Sequence, residues 1–134
     1  MADSKTELVS TLRDAGGDSL RDAWLFDEVG HESLYLRDDV ASRVADLEVD
    51  RYIDNERYGY VTRETYESLH YTEYEFTIRG FDEFLQYRTF LGTVDDDHVG
   101  LMASFDPNVG IDFRTLTESL YEVAGGNPIE VVAE

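Results

Sequence analysis

Four consecutive residues, Asp95-Asp96-Asp97-His98, form the densest set of groups in the chain that could hold a metal ion. Carboxylates suit hard divalent cations and imidazole suits transition metals, so the chemistry on offer would be metal-assisted hydrolysis. The run lacks the glycine turn and distal glutamate of a calcium-binding hand loop, and among so many acidic residues it reads as a solvated hairpin loop. A second set, Arg37-Asp38-Asp39, could be a catalytic or partner-binding charge cluster. The stronger account is structural: one aspartate caps a helix while Arg37 pairs with a carboxylate and keeps the turn in register. His31 and His70 are candidate general bases only in that histidine as a residue type suits that role near neutral pH. Yet no serine or threonine stands in a nucleophile elbow and no glycine loop could cradle a phosphate, so both histidines read as ordinary surface residues. Tyr52, Tyr58, Tyr60, Tyr66 and Tyr71 could line a cleft, although tyrosine commonly straddles core and water. Trp24 reads as core. No catalytic residue and no cofactor is expected.

The elements that must position these groups follow from periodicity. Ser4-Lys5-Thr6-Glu7 matches a capping box, opening a helix with Leu8, Leu12 and Ala15 on one stripe and Gly16-Gly17 at its end. The stripe is narrow, which suits a sheet face or a dimer seam. From Ser19 to Asp27 the period is two, with Leu20, Trp24 and Phe26 on one face, Asp22 as the exception, and Arg21, Ala23 and Leu25 opposite. Glu28–Glu32 reads as a hairpin connection to the Leu34–Arg37 strand, and Asp38-Asp39 supply N-cap carboxylates for the main helix. Val40, Val44, Leu47, Tyr52 and Ile53 continue that helix until Gly59, and Thr62 opens a short further helix facing inward through Tyr66 and Leu69. Tyr74, Phe76 and Ile78 alternate on a third strand. Phe84–Phe90 is a fourth, apolar on both sides and therefore central or at a subunit contact. An acidic loop from Thr93 to His98 leads to a fifth strand, Val99–Phe105. Asp112 caps a last helix buried through Phe113, Leu116, Leu120 and Val123. The expectation is an α+β domain over residues 1–126, in the order α-β-β-α-β-β-β-α, with a five-stranded antiparallel sheet, helices packed on it, and a tail at 127–134.

The 134 residues suffice for one domain with a core. Thirty acidic against eleven basic residues give a formal charge of −19, and Lys5 is the only lysine. Such a charge repels itself in a compact chain unless salt screens it, as it does near 1 M, where the Debye length falls to about 3 Å. Dispersed arginines with acidic neighbours exclude a nucleic-acid surface. Absence of cysteine excludes disulfides, thiol nucleophiles and thiolate metal sites. Residues 1–12 are polar, and no apolar run approaches the ~20 residues of a membrane span, so a cytoplasmic protein with no membrane partner is expected.

The order of elements resembles that of the roadblock and longin-like group, in which two halves of one sheet flank a middle helix. More locally, Asp18-Ser19-Leu20-Arg21, Leu34-Tyr35-Leu36-Arg37-Asp38-Asp39-Val40, Tyr66-Glu67-Ser68-Leu69-His70 and Phe76-Thr77-Ile78-Arg79 resemble a family of small acidic haloarchaeal proteins of unknown function. That resemblance implies a salt-accumulating cytoplasm and transfers no catalytic residue. The sequence favours a non-enzymatic protein-interaction or regulatory module acting as a homodimer, with an unidentified protein partner. A small-molecule sensing domain with a tyrosine-lined pocket is the alternative, and a metal-assisted hydrolase ranks third. Arg37, Asp39, Tyr52, Tyr60 and Tyr66 are the candidate ligand or partner surface.

Overall fold

The computed structural model describes residues 3–44, 49–57, 65, 67, 73–94, 97–126 and 129–132, and the side chains at 50, 52, 55, 93, 94, 97 and 126 lie outside that description. Its elements are α1 (Ser4–Gly16), a 3₁₀ turn (Gly17–Ser19), β1 (Leu20–Phe26), β2 (His31–Leu36), α2 (Asp38–Val44), α3 (Val49–Arg57), β3 (Phe76–Gly80), β4 (Leu85–Val94), β5 (Asp97–Phe105) and α4 (Phe113–Gly126). The five strands form one antiparallel sheet in the order β2-β1-β5-β4-β3, as expected from the short connections.

On one face α1 packs against α4 and both lie on the sheet. Leu8 and Leu12 of α1 and Leu116 and Leu120 of α4 meet Leu25, Tyr87, Leu101 and Phe105 of the strands in the main core. At about 1.5–3 kcal/mol for each large apolar side chain buried, this layer carries most of the stability. The other face is thinner: Trp24, Phe26, Phe90 and Met102 of the sheet are covered by Ile53 of α3, with Val44 and Val49 alongside. β4 is thus apolar on both sides because helices of its own chain cover both, and a subunit contact is not needed to explain it. The narrow stripe of α1 is likewise covered, by the sheet and α4.

Several local expectations are corrected. The N-cap of α1 is Asp3, whose carboxylate accepts from the Thr6 N–H at 2.8 Å, so Ser4 is already helical. Gly17, at φ 57°, ends that helix with its N–H donating to the Arg13 carbonyl. Leu20 faces the α1–α4 layer together with Ala23 and Leu25, away from Trp24 and Phe26. The cause is a bulge: β1 pairs Leu20 with Phe105 and then Asp22 with Ser104, so Arg21 is extra and the alternation changes phase. β2 begins at His31, because Asp27 closes the turn itself: its N–H donates to the Gly30 carbonyl and its carboxylate accepts from the Val29 and Gly30 N–H groups. The pairing of β4 with β5 runs out to Val94 opposite Asp97, so Thr93, Val94, Asp97 and His98 are strand residues instead of loop. Asp112 does cap the last helix, accepting from the Thr115 N–H at 3.2 Å. The expected helical residues Leu47, Thr62 and Leu69 lie outside the described residues. Ile129 beyond α4 is buried in the main core, and the Val132 N–H donates to Glu32 on β2.

Candidate functional site

Where β2 turns into α2, Arg37 ties three parts of the chain together. Its backbone N–H donates to the Arg21 carbonyl, and its own carbonyl accepts from the Val40 and Ala41 N–H groups, opening α2. Asp38 and Asp39 are therefore first-turn helical residues, where their charge favours the helix's positive end; the expected N-cap role falls to the Arg37 backbone. The guanidinium grips Asp39 through Nε (2.7 Å) and Nη2 (3.0 Å), grips Asp106 through Nη1 (2.9 Å) and Nη2 (3.0 Å), and donates from Nη1 to the Asp18 carbonyl (2.9 Å). An arginine has five N–H donors, and all five are engaged. Hydrogen bonds from this guanidinium pull the Asp39 carboxyl down to about 2 and also lower Asp106, while both carboxylates raise Arg37. The cluster fixes the ends of β1, β2 and β5 against one another.

A second set of charges seats α3. Ile53 and Glu56, three residues apart, face the sheet together, and Glu56 is only 2% exposed. Its carboxylate accepts from Arg79 of β3 at 2.6 and 2.8 Å and from Arg88 of β4 at 3.1 Å, and Arg88 is itself 4% exposed. Arg88 donates further to the Tyr74 and Thr77 hydroxyls. At the end of α3, Arg57 donates to the Asp27 and Gly30 carbonyls of the β1–β2 turn and pairs with Asp54. Among the described side chains of α3 only Ile53 is apolar and fully buried, and these charges fasten the helix to both halves of the sheet.

Between α2, α3 and the sheet lies a cavity of about 270 Å³. Trp24, Met102, Val40, Val44 and Val49 give it apolar walls, and Phe84 stands at one side. Its polar end is made by Arg21, Asp22 and Ser104. Strand neighbours ordinarily point to opposite faces, and the bulge at Arg21 is what brings Arg21 and Asp22 to the same cavity. The Asp22 carboxylate accepts from the Ser104 N–H (3.0 Å) and hydroxyl (2.8 Å), both at Oδ1. Burial pushes its pKa up, and the Ser104 hydrogen bonds and the Arg21 charge oppose that only in part. Arg21 lies over the Phe84 ring, 4.6 Å from its centroid.

The residues singled out in the sequence fare unevenly. Arg37 and Asp39 meet directly. Tyr60, Tyr66 and the Tyr52 side chain lie outside the described residues, as do Tyr58, Tyr71, His70, Asp95 and Asp96. The Asp97 backbone starts β5, and His98 follows it, half-buried opposite Thr93. His31 stands edge-on to Trp24, ring centroids 5.8 Å apart. Among the described residues no group of three His, Asp or Glu side chains could hold a metal ion, and no helix is long and apolar enough to cross a membrane. Sequence reasoning misses Arg21 and Asp22 as a site, although the break in the β1 alternation at Asp22 is the signal that marks them.

The sheet order and the placing of helices on both faces define a roadblock/longin-like fold. Solved structures of MglB share it. A structure of the gliding protein MglB from Thermus thermophilus aligns with a TM-score of 0.53 at 15% identity, covering 95% of each chain. Another, described as MglB with tetrameric arrangement, aligns with a TM-score of 0.51 at 17% identity over 92% of this chain and 88% of that one. Residues 6–125 match the model of the family described as domain of unknown function (DUF7522), and the chain belongs to that family. No curated protein matches it significantly.

Proposed function

We propose that this domain is a non-enzymatic protein-interaction or regulatory module that acts as a homodimer in a salt-rich haloarchaeal cytoplasm, with a protein and neither nucleic acid nor membrane as its partner. The observation that carries the reading is the fold shared over nearly the whole chain with MglB, one structure of which has a tetrameric arrangement. The charge chemistry agrees with it. Arg37 has every donor committed within the chain, and Glu56 and Arg88 are spent on holding α3. The −19 charge with a single lysine supports the saline habitat, because molar salt removes the self-repulsion. Sedimentation equilibrium in molar KCl tests the dimer: the 15.3 kDa chain should sediment at twice its mass, and a strict monomer across the accessible concentrations would remove the claim.

The cavity favours a second reading, a small-molecule sensing domain. Its described walls are Trp24, Met102 and valines, so the pocket that supports sensing does not depend on the tyrosines that the sequence brings forward.

A further inference from the structure

We propose that the cavity between α2, α3 and the sheet binds a small apolar amino acid, with the ligand carboxylate on Arg21, its ammonium on Asp22 and its side chain against Trp24, Val44 and Met102. The proposal rests on the sensing reading and names its ligand class.

Four observations converge. The β1 bulge aims two consecutive residues of opposite charge into one cavity, an arrangement that a regular strand cannot produce. Arg21 is only 8% exposed, and among the described residues no carboxylate lies at ion-pair distance from its guanidinium, which rests on the Phe84 ring. A buried guanidinium of this kind has donors to spare for a planar, bidentate carboxylate. On Asp22 both Ser104 donors go to Oδ1 and the Trp24 indole also interacts with the carboxylate, which with its two oxygens keeps lone pairs for an ammonium N–H. Apart from Ser104 and Arg43, the remaining lining side chains are apolar.

Size and charge narrow the class. A 150 Å³ apolar cavity holds benzene, so about 270 Å³ holds roughly eleven non-hydrogen atoms, the range of leucine, methionine and phenylalanine. A purely anionic ligand would bring its charge beside Asp22, and a purely cationic one would meet Arg21. A zwitterion satisfies both, and each polar group of the ligand leaves water only to enter a charge-assisted hydrogen bond. Arg43 at the rim is turned to Glu83 at 3.3 Å, so it does not compete for the carboxylate.

Trp24 is the only tryptophan in the chain, so its emission reports directly on this cavity. The unaltered protein in molar KCl is titrated with L-leucine, L-methionine and L-phenylalanine, and with 4-methylpentanoate and isoamylamine, which are leucine without its ammonium and without its carboxylate. Calorimetry provides a second readout. The expected result is a saturable change in Trp24 emission with at least one amino acid. Each leucine fragment should bind at least about tenfold more weakly than leucine, and Arg21→Gln should weaken leucine while isoamylamine, relieved of the Arg21 charge, binds at least as well as before. Equal binding of leucine and either fragment would overturn the ligand class and leave the sensing reading standing. No response to any of the five compounds would likewise overturn the ligand class, and the sensing reading falls separately if the protein purified from its own cells carries no small molecule that mass spectrometry detects after denaturation. The fragment comparison on the unaltered chain decides the matter even if Arg21→Gln does not fold.

Discussion

Replacing Glu56 by glutamine tests the claim that α3 is held mainly by buried charge. The substitution keeps size and hydrogen-bonding capacity but leaves Arg88, 4% exposed, without its anionic partner on α3. Breaking a buried pair from one side costs about 3–5 kcal/mol, because the stranded cation keeps its desolvation penalty. Arg79 adds little, since its side chain is 37% exposed and screened by solvent. For 134 residues the unfolding entropy is about 0.28 kcal/mol/K, so Glu56→Gln should lower Tm by about 11–18 °C. Urea and thermal denaturation in molar KCl, followed by circular dichroism, measure both quantities. The double variant Glu56→Leu with Arg88→Leu removes both charges and should lose less than the single variant. A loss below about 1 kcal/mol for Glu56→Gln, or a double variant worse than the single, would refute the reasoning and assign the docking of α3 to Ile53 and its apolar neighbours.

Arg37→Lys keeps the charge but cannot span Asp39, Asp106 and the Asp18 carbonyl at once, so a loss of about 2 kcal/mol in urea denaturation is expected. Because the Asp39 and Asp106 pKa values are lowered on folding, their contribution is present above the unfolded value of 3.8 and lost as pH falls through the folded value, about 2 for Asp39. The acid limb of the stability curve should therefore flatten in Arg37→Lys, which pH-dependent urea melts would show. Asp22 has the opposite sign: its folded pKa is raised, so the stability linked to its proton is present below 3.8 and lost as pH rises through the folded value. Asp22→Asn, which can keep both Ser104 hydrogen bonds, should gain stability over the unaltered chain as pH rises out of that window, measured by the same melts. Gly100→Ala would place a Cβ 2.3 Å from the Phe26 ring at a centre of the sheet, and a cost of about 1–3 kcal/mol is expected in thermal denaturation.

Much of the sheet is legible in the sequence because its strands obey a simple rule. Phe76 and Ile78 alternate inward on β3, and Leu116 and Leu120 fall a helical turn apart on α4, so periodicity alone places them on the main core. β1 is harder. Its bulge leaves no composition signal, and a one-residue slip moves Leu20 to the face opposite Trp24. The same slip hides the cavity, because Asp22 reads as an exception within a strand instead of one half of a charged pair. The Glu56 network is out of reach for a different reason: Glu56 meets Arg79 and Arg88 across 23 and 32 residues, a separation that local pattern cannot bridge. The pairing of Arg37 with a carboxylate is legible in the sequence, but Asp106, its partner 69 residues away, needs the fold. At the start of α1 the error is one of competition: Ser4 and Asp3 both fit an N-cap, and the aspartate takes it.

The most direct test of the interaction-module proposal is purification of the tagged full chain from its own cells, kept in molar KCl throughout, with mass spectrometry of the eluate and light scattering of the complex. The expected result is a reproducible second protein in stoichiometric amount, bound to a dimer of this chain. Recovery of the chain alone as a monomer, at every salt concentration that keeps it folded, would contradict it.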